Sequence, residues 1–517
     1  MARSLHHGQT SVPVRSHSTP PWYSPKRRRS TRRSASIVTV VIVAIHAPLF
    51  ATTHRSLGHT GDMATPIDTL TNETVDLLQQ MIRNQCVNEG TPESGQEDRN
   101  ARLVRDQLDG LGIDFQMFEP EPNRTSLIAR YEGTDPNAPS LCLMGHTDVV
   151  PVSPEGWDND PFGGELITSA DGTPEVWGRG AVDMLNVTSS MLVAFREIVR
   201  SGKRYPGDII YFAVADEEAG GVLGAKHIIE NDWDAIKSDY VLTEYGGTPS
   251  FTDDGTTVLL TNGEKRGAFR HLEIAGSPGH GSMPYGTDNA LIKAAKIVAR
   301  MAEYEIAPRI DEMFRDRVRA LGFDADTERR LLDPAHIDDA LAELPMGMAR
   351  NLHSCCQMSF SPNVLNSGEK DNTVPDHADL MVDIRVLPGE DDDDADRHLR
   401  AIIGEDLLPS VTIHRKYDEA QGPALSSTDT PLWSALTDSI QIAYPDARVV
   451  PSIVTGGTDA RFFRARGVPA YGAGLLSNKV SFSEFQNRFH GNNERIDIES
   501  LKLTTQLWLN VCDRLWV

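Results

Sequence analysis

The sequence predicts an α/β fold with a mostly parallel sheet, interrupted by an inserted α+β unit. Apolar runs of strand length alternate with segments of helical periodicity in the first half of the chain, which is typical of βαβ units. The pattern changes after Asn262–Gly263, and helix–strand alternation resumes from about Gly422. We therefore expect one α/β domain built from residues 63–264 and 420–517, with an α+β domain inserted at residues 265–419.

Helical periodicity and apolar runs predict the individual elements. The predicted helical segments are 69–111, 180–199, 224–230, 289–303 and the polar stretch 306–349. The predicted strands are 126–131, 140–144, 208–215, 240–243, 268–275, 378–386 and 411–414. We expect the acidic run Glu390–Asp394 to begin a helix, where the helix dipole favours negative charge, and to bind no ligand.

The composition is that of a globular protein and excludes one class of partner. A chain of 517 residues with 39% hydrophobic and 24% charged residues is long enough for two or three domains. The net charge of −24 argues against nucleic acid as a partner, because a phosphate backbone requires a basic face. The five cysteines are scattered, so they predict no disulfide framework and favour a reducing, cytoplasmic location.

Residues 1–62 differ from the rest of the chain and predict a disordered or signal-like segment. A basic block at 26–33 precedes an apolar run at 37–51, which is the order of residues in an export signal. The run is short and contains a histidine and a proline, which argues against a membrane span. Two alternatives stay open: a real signal or tail that makes the protein exported or membrane-tethered, or an over-extended start with Met63 as the first residue.

Candidate metal ligands follow the predicted strands. His146 and Asp148 end the first apolar run on one face of the strand, so the Asp148 carboxylate can accept the second N–H of His146. The further candidates are Asp183 in a glycine-rich turn, Glu217, Glu218 and Glu244 after later strands, and His490 in a polar loop. Ligands of such sheets bind beyond the carboxyl ends of the strands. Histidines and carboxylates gathered there predict a metal-dependent hydrolase, although each residue alone also has a purely structural reading.

The ordered motifs resemble those of the M20 family of metallopeptidases and deacylases, which includes aminoacylases, carboxypeptidase S-like enzymes and succinyl-diaminopimelate desuccinylases. The motifs are Gly145-His-Thr-Asp-Val-Val-Pro151, Trp157-Asp-Asn-Asp-Pro-Phe162, Gly178-Arg-Gly-Ala-Val-Asp183, Asp216-Glu-Glu218, Gly456-Gly-Thr-Asp459, and His490 with Asn493-Glu494. The resemblance covers residues 63–517. It implies a zinc-exopeptidase-like catalytic domain and an inserted lid domain through which the chain forms a homodimer.

The resemblance also implies two zinc ions, for which Co²⁺ or Mn²⁺ can substitute. Asp183 and a water or hydroxide would bridge the ions. His146 and Glu244 would bind one ion, and Glu218 and His490 would bind the other.

Further roles follow from the resemblance around the metals. Glu217 would be the general base, and Asp148 would orient the histidine two residues before it. A cis peptide bond is implied at Asp183–Met184. Many relatives continue the motif of the bridging aspartate with a lysine and a glycine, whereas this chain reads Asp183-Met-Leu185-Asn186.

In the inserted unit, the resemblance assigns residues that act on the substrate. His280 would enter the partner subunit's site and stabilise the oxyanion. Asn372 and Arg385 match positions that contact the substrate, and an arginine can hold a carboxylate through two parallel hydrogen bonds. The alternative for Arg385 is a salt bridge with Asp383 or Asp379. The other residues expected along the pocket are Arg266, Gly457 and Thr458.

These inferences predict a di-zinc amidohydrolase or exopeptidase that cleaves an amide bond next to a free carboxylate. An N-acyl amino acid or a short peptide would be the substrate. One alternative is a desuccinylase of the diaminopimelate type, which would require further basic residues in the lid. The other is a catalytically silent family member that acts as a binding protein, against which the retained ligand types and Glu217 argue.

Overall fold

The computed structural model describes residues 66–252, 255–416 and 425–517. The N-terminal segment predicted to be disordered or signal-like lies outside the described residues. Among the helices in the described ranges, none is both long enough and apolar enough to cross a membrane.

Helices and strands alternate through the described residues. The α-helices are α1 Pro66–Arg83, α2 Asp98–Leu108, α3 Leu185–Ser201, α4 Ala225–Asn231, α5 Trp233–Ile236, α6 Ala290–Glu303, α7 Glu312–Leu321, α8 Ala325–Leu331, α9 Ile337–Ala342, α10 Met346–Cys356, α11 Asp392–Ile403, α12 Pro431–Ala443, α13 Ala460–Arg464, α14 Phe482–Arg488 and α15 Ile498–Arg514. The strands are β1 Asp114–Phe118, β2 Ser126–Tyr131, β3 Leu141–His146, β4 Glu165–Thr168, β5 Pro174–Trp177, β6 Ile209–Val214, β7 Tyr240–Thr243, β8 Gly246–Thr252, β9 Gly255–Glu264, β10 Arg266–Gly267, β11 Arg270–Ala275, β12 Gly279–His280, β13 Ser359–Ser367, β14 Thr373–Val374, β15 His377–Val386, β16 Val411–Arg415, β17 Arg448–Val454, β18 Ala470–Gly472 and β19 Arg495–Asp497.

A nine-stranded mixed sheet forms the larger layer, which confirms the predicted α/β class. Its strand order is β1-β2-β6-β3-β7-β18-β9-β17, with β8 paired to β9. The central strands β6, β3, β7 and β18 are parallel. The pairs β1–β2, β2–β6, β18–β9 and β8–β9 are antiparallel. The parallel part of the sheet is therefore its centre, and antiparallel strands extend it on both sides.

Helices cover both faces of this sheet. Every residue of β3 and β6 is buried, as expected for continuous apolar strands with helices on either side. Helices α1, α3, α12 and α15 belong to the core on one face, and α4 and α13 belong to the core on the other. The helix predicted at 180–199 begins only at Leu185, because Gly178 and Gly180 adopt φ angles of 151° and 89° in the preceding turn.

A second, five-stranded antiparallel sheet contains β10, β11, β13, β15 and β16. Alternate residues of β15 are buried, and they pack with apolar residues of α6 and α11 on one face of the sheet. Helix α11 begins with a capping box between Asp391 and Asp394, which confirms the structural interpretation of the acidic run. The domain boundaries at 264/265 and 419/420 stay a prediction.

The helical stretch 306–349 contains α7, α8, α9 and the start of α10. These helices form a core of their own that includes Ile453 of β17. Helix α7 also packs against β9 and β17 of the large sheet. The stretch therefore lies against the large sheet, although the sequence pattern assigns it to the inserted unit.

Candidate metal centre

Five predicted ligands meet at one edge of the large sheet. His146 ends β3, Glu218 follows β6 and Glu244 follows β7, and these three strands are parallel neighbours. Their carboxyl ends therefore lie side by side. Asp183 approaches from the turn before α3, and His490 from the loop after α14.

The Asp183 carboxylate lies between the two histidines. Its Oδ1 is 3.1 Å from His146 Nε2, and its Oδ2 is 3.0 Å from His490 Nε2. Glu244 Oε2 is 3.8 Å from His146 Nε2, and Glu218 Oε2 is 3.3 Å from His490 Nε2. Two groups of three possible ligands result, each with its donor atoms within 4.8 Å of one another, and Asp183 belongs to both groups.

The electrostatics of these side chains fit divalent cations. Burial, strengthened by repulsion from Asp183, raises the pKa of Glu218 to about 7. Burial also raises the pKa values of Glu217 and Glu244 well above the ordinary range. Glu218 Oε1 is buried without a hydrogen-bond partner among the described residues. The cluster thus concentrates more negative charge than its two imidazoles compensate, which is the donor chemistry of a metal site.

The second ring nitrogen of His146 has a different partner from the one predicted. Nδ1 lies 2.9 Å from the backbone carbonyl oxygen of Asp148, to which it donates, and 3.6 Å from the Asp148 carboxylate. That carboxylate instead accepts from Asn88 Nδ2 at 2.8 Å and from the backbone N–H of Glu218 at 3.1 Å. The carbonyl sets the tautomer that leaves Nε2 free for a metal, and the carboxylate holds the turn of a neighbouring ligand.

A buried ionic network, which the sequence analysis missed, supports the turn after β6. Arg124 Nη2 contacts Glu97 Oε1 at 2.7 Å and Asp216 Oδ1 at 2.6 Å. Asp216 adopts a φ of 73° and accepts from the backbone N–H of Leu223 at 2.8 Å. The network holds the left-handed residue that directly precedes Glu217. The partners lie far apart along the chain, so local periodicity carries no signal for them.

Glu494 supports the turn that carries Asp183. Its Oε1 accepts from the backbone N–H groups of Val182 at 2.6 Å and Asp183 at 3.0 Å, and its Oε2 accepts from Arg179 at 2.7 Å. The peptide bond after Asp183 is cis, in agreement with the resemblance. The Asn493-Glu494 motif therefore acts on the candidate bridging ligand through the backbone.

A cavity of about 570 Å³ opens beside the centre. Glu217 and Gly457 line it together with Arg266 and Arg385 from the smaller sheet. Arg385 also donates to Asp383 at 2.8 Å, so the predicted alternative contact is present as well. Arg266 also donates to Asp392 at 2.6 Å. Thr458, which was expected along the pocket, does not line the cavity; its backbone N–H and hydroxyl donate to Glu264.

His280 and Asn372 lie outside this cavity. His280 is an exposed residue of β12, and its Nδ1 is 2.8 Å from Ser282 Oγ. The Asn372 carbonyl accepts from the backbone N–H of Gly281 at 2.8 Å, so the two predicted residues stand next to each other. Neither contributes to the cavity wall of its own chain. Their roles stay predictions.

Several cavity residues were not predicted from the sequence. Lys265 is fully buried, and its Nζ donates to the Gln357 carbonyl at 2.9 Å. Burial lowers its pKa to about 8. Tyr245 and Gln486 also line the cavity. The only feature of the sequence that could have pointed to Tyr245 and Gln486 is their position near the candidate ligands Glu244 and His490.

Comparison with known proteins identifies the family. Residues 142–514, well over half of the chain, match a model described as peptidase family M20/M25/M40. The chain belongs to this family. The M20 protein is a hydrolase of the metallopeptidase class.

Relatives and solved structures agree with this assignment. Mouse aminoacylase-1 (Mus musculus) is 26% identical to the M20 protein over 428 residues, which are 82% of this chain and 90% of the relative. The fold is similar to an M20 family metallo-carboxypeptidase from Sulfolobus solfataricus, with a TM-score of 0.63 and 17% identity over 86% of this chain and 99% of the other. It is also similar to the dipeptidase Dug1p from Saccharomyces cerevisiae, with a TM-score of 0.60 and 18% identity over 87% and 97% of the two chains. At these identities, the structural comparisons show the fold alone.

Proposed function

We propose that this M20 hydrolase uses two zinc ions to cleave an amide bond next to a free carboxylate, in an N-acyl amino acid or a short peptide. The carrying observation is the position of Asp183, which offers one oxygen to each of two ligand groups. His146 and Glu244 would complete one site, and Glu218 and His490 the other. Co²⁺ or Mn²⁺ can substitute for zinc.

Bound at these positions, two cations would polarise the scissile carbonyl and lower the pKa of a water between them. The remaining chemistry belongs to Glu217. Its carboxylate lines the cavity directly beside Glu218, without belonging to either ligand group. It would accept the proton of the attacking water and deliver it to the leaving nitrogen. Asp148 would act as a positioning residue through its contact with the turn of Glu218.

The cationic side of the cavity supports a substrate with a free carboxylate. Arg266 and Arg385 line the cavity from the smaller sheet, so an anion bound between them and the centre would present its amide to Glu217. The similarity to relatives named aminoacylase-1 and probable carboxypeptidase S-like 2 favours the same class. Gly457 would shape the neighbouring wall, Thr458 would support it through its contact with Glu264, and Asn372 would contact the substrate only in the assembled enzyme.

We also propose a homodimer in which His280 completes the site of the partner subunit. His280 is exposed and lies outside the cavity of its own chain, so it is free to act elsewhere. A histidine brought to the scissile carbonyl would stabilise the negative charge that develops on its oxygen.

Hydrolysis of a panel of N-acyl amino acids and dipeptides tests the proposed function. The full-length protein is assayed as isolated, after chelation and after addition of zinc, beside Glu217→Ala. We expect turnover that chelation removes, that zinc restores and that Glu217→Ala lacks. Two bound ions without turnover on the panel would contradict the substrate class, and a protein that binds no metal would contradict the whole proposal.

A further inference from the structure

One wall of the cavity is formed by residues next to the metal ligands. Tyr245 directly follows Glu244, and Gln486 lies on α14 shortly before His490. The Tyr245 hydroxyl is 2.9 Å from Gln486 Oε1. Of the arginines that line the cavity, Arg266 and Arg385 belong to the smaller sheet and Arg461 belongs to α13.

A buried arginine behind this wall determines the orientation of two side-chain amides, those of Asn351 and Gln486. Arg317 on α7 is 2% exposed and donates to Asn351 Oδ1 on α10. A guanidinium has donors only, so it requires the oxygen of the Asn351 amide to face it. The Asn351 Nδ2 group therefore faces away from Arg317 and donates to Gln486 Oε1 at 3.3 Å.

The same argument applies at Gln486. Its Oε1 accepts hydrogen bonds from Asn351 and Tyr245, so its Nε2 points away from these two residues. Within the described part of the chain, Nε2 has no hydrogen-bond partner and almost no accessible surface, so a substrate oxygen would reach it after a shift of this side chain toward the cavity that Gln486 lines. An unpaired buried donor is unfavourable, and the penalty disappears when a ligand supplies an acceptor. Neither Arg317 nor Asn351 lines the cavity, so both can act on the substrate only through Gln486.

We propose that Gln486 is a specificity-determining residue whose Nε2 donates a hydrogen bond to an oxygen in the acyl portion of the substrate. This inference rests on the proposed function. With the substrate carboxylate on the arginines of the smaller sheet, as the proposed function has it, the acyl portion would reach the wall that contains Gln486, Tyr245 and Phe489. The aromatic rings of that wall suit an apolar chain, and Nε2 suits one oxygen acceptor within it. The preferred substrates are therefore N-acyl amino acids with an acceptor oxygen in the acyl chain, and not dipeptides with a free ammonium group.

A series of matched substrates tests the proposal. N-hexanoyl methionine is compared with N-(oxohexanoyl) methionines, in which a keto oxygen is moved along the chain, and with N-(6-aminohexanoyl) methionine. The wild-type enzyme prefers the keto compound with the best-placed oxygen. In Gln486→Leu, the ratio of kcat/KM for this keto compound to that for the hexanoyl compound falls about tenfold, as expected for one lost hydrogen bond. The value for the hexanoyl compound changes much less.

Asn351→Asp provides a second test without altering the cavity wall. An aspartate would offer one oxygen to Arg317 and the other to Gln486, whose amide would then turn its Nε2 inward and its Oε1 toward the substrate. We expect the preference to invert from the keto compound to the amino compound. Asn231→Asp adds the same charge at an exposed helix end and serves as the matched control, with an unchanged preference. A purely structural role of Asn351 would lower all kcat/KM values together.

Binding measurements separate this inference from the proposed function. The same compounds are titrated calorimetrically into Glu217→Ala, alone and combined with Gln486→Leu or Asn351→Asp. If the wild-type enzyme hydrolyses none of the compounds while the binding preference still follows Gln486, the proposed reaction is contradicted and the subsite is supported. Identical preferences in wild type, Gln486→Leu and Asn351→Asp would overturn the role of Gln486, whatever the rate of hydrolysis.

Discussion

At the residue scale, Glu217 and Glu218 show how adjacent identical side chains receive different tasks. Glu218 Oε2 lies 3.3 Å from His490 Nε2 and belongs to a ligand group, whereas Glu217 lines the cavity outside both groups. Both residues lie in the short helical turn that follows Asp216, which comes two residues after β6 and adopts a φ of 73°. One backbone conformation therefore directs one carboxylate to the ligand group and the other to the cavity.

Isosteric substitution at these two positions should separate the roles. We expect Glu218→Gln to lower the bound zinc by about one ion per chain, because it removes a charged ligand. Glu217→Gln should keep both ions and lower kcat by about 100- to 10,000-fold, because it removes only the base. Metal analysis and kcat are measured on both proteins. Equal metal content in the two variants would contradict the ligand assignment.

A second residue-scale prediction concerns the pH dependence of stability at Lys265. Burial lowers its pKa from 10.5 to about 8. Between these values the unfolded chain binds more protons than the folded chain, so the free energy of unfolding rises with pH. From about pH 7 to about pH 9.5, we expect Lys265 to contribute a gain of about 2 kcal/mol.

Urea unfolding at both pH values, on wild type and Lys265→Met, checks this expectation. The methionine variant lacks the titrating group, so the difference between the two proteins should change with pH by that amount. Its lost hydrogen bonds to Gln357 and its neighbours shift the difference equally at both pH values. A difference that is independent of pH would contradict the lowered pKa.

At the element scale, the ends of neighbouring strands and helices are joined by buried charges. Arg124, just before β2, contacts Glu97 before α2 and Asp216 after β6, and all three side chains are at most 4% exposed. Glu97 Oε1 also accepts from the backbone N–H of Asp216 at 3.2 Å. The ligand turn is therefore attached to two other elements.

Removal of the Arg124 guanidinium should destabilise the folded protein. Arg124→Met leaves two buried carboxylates without their partner, and we expect the free energy of unfolding to fall by about 3–5 kcal/mol. Arg105→Met is the matched control, because its ion pair with Asp106 is exposed and should contribute less than about 1 kcal/mol. Urea unfolding of both variants gives the comparison. Similar losses in the two proteins would show that the network does not support the fold.

At the scale of the whole molecule, the proposed dimer makes each site depend on two chains. His280 and Tyr285 lie in one exposed segment, and Tyr285 is fully exposed. Met283 in the same segment is also exposed, and grouped exposed apolar side chains are a feature of interfaces. The proposed dimer would place this segment at the catalytic edge of another copy.

Mixing two inactive variants tests this dependence. Glu217→Ala and His280→Ala should each be nearly inactive alone, whereas subunit exchange between them should restore activity. A mixed dimer holds one complete site, so random pairing gives about one quarter of the wild-type number of sites. Light scattering measures the dimer in parallel. Activity that stays absent after exchange, or a purely monomeric protein, would contradict the role of His280 in the partner.

The sequence by itself determined the class of the fold and the identity of the candidate ligands. Both depend on local patterns. An apolar run predicts a buried strand, and the polar residue that follows the run lies at the sheet edge where β3, β6 and β7 end together. The acidic start of α11 was predictable for the same reason, since a capping box joins residues only three positions apart. These features stay within the range over which periodicity is informative.

Only the tertiary structure decided which contacts support the candidate ligands and the cavity wall. The contacts of Arg124 with Asp216, of Glu494 with the Asp183 turn and of Asn351 with Gln486 join residues that are 92, 311 and 135 positions apart. The backbone carbonyl partner of His146 and the packing of α7 on the large sheet were equally unpredicted. Such contacts arise because a buried polar group must pair with whatever group the fold brings near it. The chain sequence alone carries no local signal for that choice.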